Sequence, residues 1–247
     1  MTVPLKTGER IDQLFAEGIQ IIQSKEVFSF SLDAVLLANF PRIPQKGQIV
    51  DLCAGNGAVG LFVSGKTAAP ITQIEIQPRL ADMGQRSILL NHLEEQVTMV
   101  PGDIEDCFNY LQPDSIDLVL CNPPYFKELP TSRKNPNPHL AIARHEIETN
   151  LDEVIRIASG LLKTNGHFAM VHRPDRFLDI IDTLRKYDIA PKRLQFVYPK
   201  VGKEANILLV EGIRNGKEAG LKILPPLLTT DENGDYTPEI RGMLYEK

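Results

Sequence analysis

Short apolar runs alternate with amphipathic stretches from residue 48 to residue 187. The apolar runs have the length of buried strands, and they are residues 49–53, 71–76, 97–100, 116–120 and 166–172. The stretches between them have a helical period, and they are residues 58–66, 78–92, 148–163 and 174–187. Two later runs, 194–198 and 206–211, predict a closing strand pair. This alternation predicts an α/β fold with a doubly wound, mostly parallel, seven-stranded sheet.

The two ends of the chain have weaker patterns. Residues 19–30 alternate apolar and polar positions around a Lys-Glu pair, which predicts a hairpin. Residues 30–38 predict a short helix that begins near Ser31. Residues 221–245 contain an Asn-Gly turn signal and predict a hairpin or a cap.

The first strand of the predicted sheet leads into a glycine-rich turn. Asp51 lies in the strand, and Gly55, Gly57 and Gly60 follow it in the spacing Gly-x-Gly-x-x-Gly before a helix begins. In this strand–turn–helix setting, glycines let the backbone approach a nucleotide-like ligand, which then lies at the helix N-terminus.

Carboxylates follow the next two strands. Glu75 ends the second strand, where it can accept hydrogen bonds from both hydroxyls of a ribose; the alternative is a solvated acid. Asp103 follows the third strand, where it can accept a hydrogen bond from an adenine amino group while Ile104 packs on the ring. The alternative is that Asp103 caps the helix that follows, but acids at successive strand ends favour ligand binding. Asp33, at the start of the first helix, either interacts with the helix dipole or contacts a ligand.

The fourth strand ends in Asn122-Pro123-Pro124-Tyr125. The two prolines force the chain to leave the sheet at the edge where open α/β sheets bind ligands. Asn122 and the backbone carbonyl of Pro123 offer hydrogen-bond acceptors, and Tyr125 can stack on a flat ring. These groups together suit an exocyclic amine on an aromatic base. The alternative is a strand-terminating turn with a buried Asn.

Composition and charge limit which kinds of molecule the protein can bind. The chain has 247 residues, of which 43% are apolar and 24% charged, so a packed core is expected rather than disorder. A net charge of −5 argues against coating nucleic acid through bulk charge but allows a local basic face. The three cysteines do not have the spacing of metal ligands, so no metal site is expected, and their small odd number fits a reducing compartment. The sequence contains neither the apolar run of a signal peptide nor one long enough to span a membrane. These features predict a cytoplasmic protein.

Two segments are locally basic. Residues 127–144 are rich in Pro and polar residues and predict a long loop, which can dock a polyanion or serve as a solvated linker. Residues 163–203 contain nine Lys or Arg against four Asp. The side chains that we expect to bind nucleic acid are Lys127, Arg133, Lys134, Arg144, Lys200 and Lys203.

The turn after Asp51, the two later acids and the Asn-Pro-Pro-Tyr sequence together resemble class I S-adenosylmethionine-dependent methyltransferases. In that superfamily, Asn-Pro-Pro-Tyr is typical of enzymes that methylate exocyclic amines of adenine or guanine, or the amide of glutamine. The whole chain more narrowly resembles the bacterial tRNA1(Val) adenine-37 N6-methyltransferases, in residues 30–38, 74–78, 143–146 and 203–211.

The resemblance implies a cytoplasmic enzyme, monomeric or homodimeric, that methylates N6 of an adenine in the anticodon loop of a tRNA. It implies catalytic roles for Asn122, Pro123, Pro124 and Tyr125. The residues expected to bind S-adenosylmethionine are Asp33, Asp51, Ala54, Gly55, Gly57, Glu75, Ile76, Asp103, Ile104 and Asn122. We expect an extension over the cofactor site at 1–47, a catalytic domain at 48–215 and a cap at 216–247.

Other functions remain open at this point. A glutamine methyltransferase of release factors uses the same tetrapeptide, but such enzymes carry a larger N-terminal helical domain than 47 residues allow. Methylation of a ribosomal RNA guanine or a DNA adenine is also possible. A nicotinamide-dependent oxidoreductase would explain the glycine turn and Glu75 but not Asn122 to Tyr125. An RNA-binding module without activity would not need a full cofactor set.

Overall fold

The chain begins with a hairpin and a short helix. The structure, a computed structural model, describes residues 3–14, 18–27, 31–125 and 149–245. Strands β1 (Glu9–Leu14) and β2 (Ile19–Ser24) pair antiparallel, and helix α1 (Leu32–Asn39) follows. The hairpin is confirmed, but the prediction placed it too late, since Ile19–Ser24 is its second strand. β1 was missed because its only apolar side chains are Ile11 and Leu14, too few for a periodic signal.

The central sheet has nine strands, of which seven are long. The long strands are β3 (Ile49–Leu52), β4 (Ile71–Glu75), β5 (Val97–Pro101), β6 (Ile116–Cys121), β7 (Leu162–His172), β8 (Ile189–Tyr198) and β9 (Ile207–Arg214). Their order across the sheet is β8-β9-β7-β6-β3-β4-β5. The pairs from β7 to β5 are parallel, and β9 is antiparallel to both β7 and β8. The predicted doubly wound, mostly parallel fold is confirmed.

Helices cover both faces of the sheet. They are α2 (Ala58–Ser64), α3 (Pro78–Leu90), α4 (Leu151–Leu161) and α5 (Phe177–Lys186), with a 3-10 helix at Ile104–Asn109. Successive strand residues enter different cores, because side chains alternate along a strand. Ile49 packs with α1, α2 and α3, whereas Val50 packs with α4 and α5.

The C-terminal segment extends the sheet. Strands β10 (Lys222–Ile223) and β11 (Leu227–Leu228) each pair parallel with β8. The predicted hairpin is reduced to one bridge between Thr230 and Tyr236. The chain ends in helix α6 (Pro238–Tyr245), which was not predicted. The division of the chain at residues 47 and 215 stays a prediction.

The N-terminal hairpin is anchored to the glycine turn and to α3. The Ile22 amide donates to Ser87 Oγ at 2.9 Å, and Asn56 Nδ2 donates to the Ile22 carbonyl at 3.1 Å. Arg86 forms a two-pronged ion pair with Glu9, at 2.6 and 2.7 Å. Because Asn56 lies between the two glycines of the turn, these bonds fix the hairpin beside the candidate ligand site.

Candidate active site

The turn after β3 has the backbone that its glycines predict. Gly55 has φ +58° and Gly57 has φ +86°, in the left-handed region that favours glycine. A Cβ on Gly57 would lie 2.9 Å from Gln73 Oε1, so a side chain there would have to displace the buried Gln73 side chain. A Cβ on Gly55 would have no atom of the described residues within 4 Å. The Gly55 backbone is therefore open to close approach by a ligand.

Asp51 lies beneath this turn and is fully buried. Its Oδ2 accepts hydrogen bonds from the Gly60 amide at 3.2 Å and from Gln73 Nε2 at 3.3 Å. Its Oδ1 has no hydrogen-bond partner within the part of the chain that the structure describes. Burial raises the pKa of Asp51 to about 7. Asp51 thus holds the first turn of α2 from below, and its contact with the cofactor stays a prediction.

Glu75 ends β4 and binds the turn from the side. Its Oε2 accepts from the Gly55 amide and its Oε1 from the Gln77 amide, both at 2.8 Å. Only 5% of Glu75 is exposed, so the alternative of a solvated acid is wrong. Burial raises the pKa of this carboxyl group. Each carboxylate oxygen can accept more than one hydrogen bond, so both keep capacity for a ribose hydroxyl.

Asp103 caps the 3-10 helix that follows β5. Its Oδ1 accepts from the Glu105 amide at 3.0 Å, as expected for an N-cap. Ile104 is buried in the core that contains Val50, so most of its surface packs inside the protein. A role for either residue in holding an adenine stays a prediction. Ala54 is buried within the glycine turn, and Ile76 is half-buried after β4.

The Asn-Pro-Pro-Tyr segment leaves the sheet at the end of β6 and meets α1. The Tyr125 hydroxyl lies 2.6 Å from Asn122 Oδ1 and 2.8 Å from Asp33 Oδ2. Burial, and then the Asp33 carboxylate, raise the pKa of Tyr125 well above its usual value, so the phenol stays protonated. Asp33 lies in the first turn of α1, as a helix-dipole carboxylate does. The structure adds a third role, because Asp33 also fixes Tyr125.

The sequence prediction missed His172, which ends β7. Its ring lies 5.2 Å from the Tyr125 ring, centroid to centroid, at a tilt of 48°. His172 Nδ1 accepts from the Arg173 amide at 2.8 Å, so the neutral ring carries its hydrogen on Nε2. Burial lowers the pKa of His172 to about 3, so the ring is uncharged at neutral pH. Its position at the carboxyl end of a predicted strand was the signal that could have found it.

The family model "Methyltransferase small domain" matches residues 18–187, which include all the site residues described above. The chain is a member of this methyltransferase family. The matched region begins at β2 and ends just after α5, so it includes the hairpin strand, the glycine turn and the Asn-Pro-Pro-Tyr segment.

Three curated proteins that are similar to this methyltransferase each bear the name tRNA1(Val) (adenine(37)-N6)-methyltransferase. The Shewanella putrefaciens protein is 28% identical over 211 residues, covering 85% of this chain and 81% of that protein. The Porphyromonas gingivalis protein is 28% identical over 186 residues, covering 72% of each. The Shewanella halifaxensis protein is 30% identical over 141 residues, and the chain spans only 56% of its length.

Two solved structures share the fold. A "predicted O-methyltransferase" from Agrobacterium tumefaciens superposes with a TM-score of 0.68 at 22% identity, covering 87% of this chain and 98% of that one. Pyrococcus horikoshii TYW2, in complex with MeSAdo, gives a TM-score of 0.59 at 14% identity, covering 85% of this chain and 73% of that one.

The basic residues of the methyltransferase fall into two groups. Lys127, Arg133, Lys134 and Arg144 lie outside the described residues. Lys200 and Lys203 are exposed in the turn between β8 and β9. Most other cations of residues 163–203 are paired with acids, namely Lys163–Asp117, Arg176–Asp179, Arg185–Glu218, Lys186–Asp152 and Arg193–Glu211. The local charge excess therefore does not form one free basic face.

The structure also bears on membranes and metals. None of the helices within the described ranges is both long and apolar enough to cross a membrane. Across the same ranges, no group of three or more His, Cys, Asp or Glu side chains is arranged to hold a metal ion.

Proposed function

We propose that this methyltransferase transfers a methyl group from S-adenosylmethionine to the exocyclic N6 amine of an adenine in tRNA. The observation that carries the proposal is the Asn122–Tyr125–Asp33 cluster at the carboxyl edge of the sheet. The names of the relatives at 28–30% identity support tRNA as the substrate and adenine 37 of tRNA1(Val) as the acceptor.

The glycine turn and Glu75 fit S-adenosylmethionine. The open Gly55 backbone leaves room for close approach, and the Glu75 carboxylate can accept hydrogen bonds from a ribose. The second carboxylate oxygen of Asp103 is suited to an adenine amino group, since Oδ1 is used in the cap. When bound, S-adenosylmethionine supplies an electrophilic methyl group on a positively charged sulfur.

Asn122, Pro123 and Tyr125 would hold the acceptor. An adenine in an unpaired loop can be turned out of its stack and placed on an aromatic side chain, here Tyr125. The Asn122 side-chain carbonyl and the Pro123 backbone carbonyl then accept hydrogen bonds from the N6 amine. These bonds favour the pyramidal, nucleophilic form of a nitrogen whose lone pair is otherwise delocalised. Orientation of this kind can contribute up to ~7–11 kcal/mol to lowering a barrier.

The position of Asp33 explains how Asn122 becomes available to the amine. In the structure, the Tyr125 hydroxyl lies within hydrogen-bond distance of both Asn122 Oδ1 and Asp33 Oδ2. A hydroxyl has one hydrogen to donate, so Tyr125 can donate to Asp33 alone. The Asn122 oxygen is then free to accept from the amine, and no buried group loses its partner.

The release-factor alternative is disfavoured by the N-terminal region. The described residues before β3 form a hairpin and one short helix, rather than the helical domain of glutamine methyltransferases. No comparable observation favours a ribosomal RNA guanine or a DNA adenine. The three cysteines are free thiols, which agrees with an enzyme that works in the cytoplasm.

Nucleoside mass spectrometry tests the proposal. RNA from cells that lack this chain should lose N6-methyladenosine from tRNA, and the wild-type gene should restore it while an Asn122→Ala gene should not. In vitro, the purified enzyme should methylate a tRNA1(Val) transcript but not one that carries guanosine at position 37. Unchanged tRNA modification, together with loss of a methylated glutamine in a release factor, would show that the alternative is correct.

A further inference from the structure

A cavity of about 520 Å³ lies at the carboxyl edge of the sheet, separate from the residues assigned above. Its walls come from the end of β7, the end of β8 and the turn before β9. They include Arg173, Phe196, Tyr198, Glu204 and Ala205. We call this space the outer cavity. None of the proposed cofactor or acceptor residues lines it.

The outer cavity adjoins the proposed acceptor site through two consecutive residues. The His172 ring is in contact with Tyr125, the side chain on which the adenine would stack. The next residue, Arg173, lines the outer cavity. Consecutive Cα atoms are ~3.8 Å apart, so the two sites are close enough for neighbouring nucleotides of one strand.

Donor and acceptor groups both line the outer cavity. Arg173 lines it with a guanidinium group, which carries only hydrogen-bond donors. Asp175 and Glu204 line it with carboxylates, which accept hydrogen bonds when ionised. The ligand should therefore present both an acceptor and a donor, as the edge of a nucleobase does.

Aromatic side chains give the outer cavity a stacking surface. Phe196 and Tyr198 are two residues apart on β8, so they project from the same face of the strand. Phe196 is braced by Phe177, whose ring centroid is 5.9 Å away. Aromatic side chains in this arrangement are typical of sites that bind unpaired bases.

Charge distinguishes a base from a phosphate in this cavity. Asp175 and Glu204 also line it, and their carboxylates would repel a phosphate but can accept hydrogen bonds from base amino groups. Lys200 and Lys203 lie exposed in the adjoining turn, where they can attract the phosphates of a strand whose base is inside.

We propose that the outer cavity binds a second unpaired nucleobase of the RNA, next in the strand to the adenine that is methylated. This inference rests on the proposed function and adds to it a second point of recognition.

An abasic-substitution experiment tests this proposal. The substrates are an anticodon stem-loop RNA and two copies that lack the base immediately 5′ or 3′ of the target adenine. The enzymes are wild type, Tyr198→Leu, Arg173→Gln and the control Tyr110→Leu, which changes an exposed tyrosine outside the outer cavity. Calorimetry with S-adenosylmethionine and thermal unfolding check that each variant is folded.

On one of the abasic RNAs, wild-type kcat/KM should fall about tenfold, the scale of one lost base–aromatic stack. Tyr198→Leu and Arg173→Gln should show a loss of similar size on intact RNA and little further loss on that abasic RNA. Tyr110→Leu should match wild type throughout. Full activity of wild type on both abasic RNAs would overturn the proposal. So would a further tenfold loss when Tyr198→Leu or Arg173→Gln acts on that abasic RNA, because the base and the side chain would then act independently. If intact RNA is not methylated at all, the proposed function fails as well.

Discussion

The Tyr125 hydroxyl lies 2.8 Å from Asp33 Oδ2, across 92 residues of sequence. This contact joins helix α1 to the segment that leaves β6. Because Asp33 belongs to the first turn of α1, the position of α1 sets the position of the Tyr125 ring. Helix α1 is therefore a structural part of the candidate active site.

A double-mutant cycle on this pair should reveal their coupling. We expect Asp33→Asn and Tyr125→Phe each to lower kcat about tenfold, since hydrogen bonds to charged groups contribute about 1.5–3 kcal/mol. The double variant should be no slower than Tyr125→Phe alone, because Tyr125→Phe removes the donor of the bond whose acceptor loses its charge in Asp33→Asn. Single-turnover methylation of tRNA measures the effect.

Cofactor binding by the same variants separates the two roles of Asp33. If Asp33 only holds Tyr125, both single variants should bind S-adenosylmethionine as wild type does. A weaker affinity in Asp33→Asn alone would mean that Asp33 contacts the cofactor directly. Losses in kcat that multiply in the double variant would contradict the coupling.

Replacing Asn122 should affect chemistry rather than cofactor binding. Asn122→Ala removes the acceptor for the amine, and losing one such hydrogen-bonding group at a reacting centre costs about 10²–10³ in kcat. Tyr125 keeps Asp33 as its partner, so the fold of the segment should survive. Quenched-flow methylation gives kcat, and calorimetry gives the affinity for S-adenosylmethionine. A variant with near-wild-type kcat would rule out this mechanism.

The central sheet could be predicted because its pattern is local. The apolar runs at β3, β4 and β6 have the length of buried strands, and glycine or proline follows each within a few residues. The glycine turn and Glu75 were predictable for the same reason, since a strand end fixes where its next residues lie.

The remaining features depend on contacts between distant residues. Nothing near Asp33 in the sequence indicates that it meets Tyr125, and nothing near His172 indicates that its ring packs on the same side chain. The first strand of the hairpin has only two apolar positions, Ile11 and Leu14, so tertiary pairing with β2 decides its structure. Likewise, the sequence does not show that most cations of residues 163–203 are paired with acids, as Lys186 is with Asp152.

Glu75→Gln should weaken cofactor binding. The glutamate uses both oxygens to accept from the backbone amides of Gly55 and Gln77, whereas a glutamine offers one oxygen and an NH2 group that would face a donor. The variant also loses a charged acceptor for the ribose hydroxyls, and hydrogen bonds to charged groups contribute about 1.5–3 kcal/mol, so we expect the Kd for S-adenosylmethionine to rise about thirtyfold. Calorimetry measures it, with the exposed Glu95→Gln as the matched control. Equal affinities in wild type and Glu75→Gln would refute this role.

Asp51 should make stability depend on pH. Its pKa is raised by burial from 3.8 to about 7, so the folded state holds a proton that the unfolded state releases. The contribution of Asp51 to the free energy of unfolding is therefore fully present below the pKa of the unfolded state. It is lost as the pH rises from about 4 to about 7. Asp51→Asn cannot titrate and should lack this loss.

Urea unfolding at pH 5 and pH 8 measures the difference. The free energy of unfolding of Asp51→Asn minus that of wild type should be larger at pH 8 than at pH 5, which means that the variant is relatively more stable at the higher pH. The exposed Asp235→Asn variant serves as the control and should show no such change. The same pH dependence in Asp51→Asn and wild type would mean that Asp51 does not titrate in this range.

The hairpin anchor should contribute more to stability than the exposed ion pairs. The Arg86 side chain is 11% exposed and pairs with Glu9, whose side chain is 2% exposed, and with Asp82. Removing one partner of a largely buried pair leaves the other charge uncompensated and costs about 3 kcal/mol. Arg86→Ala should therefore lower the free energy of unfolding by about that amount, as measured by urea unfolding. The control Lys186→Ala breaks a pair in which both side chains are about half exposed, so solvent screens it and the variant should lose much less stability than Arg86→Ala. Because β2 is bonded to the glycine turn through Asn56, Arg86→Ala should also weaken S-adenosylmethionine binding. Equal losses of unfolding free energy in Arg86→Ala and Lys186→Ala would show that Arg86 does not anchor the hairpin.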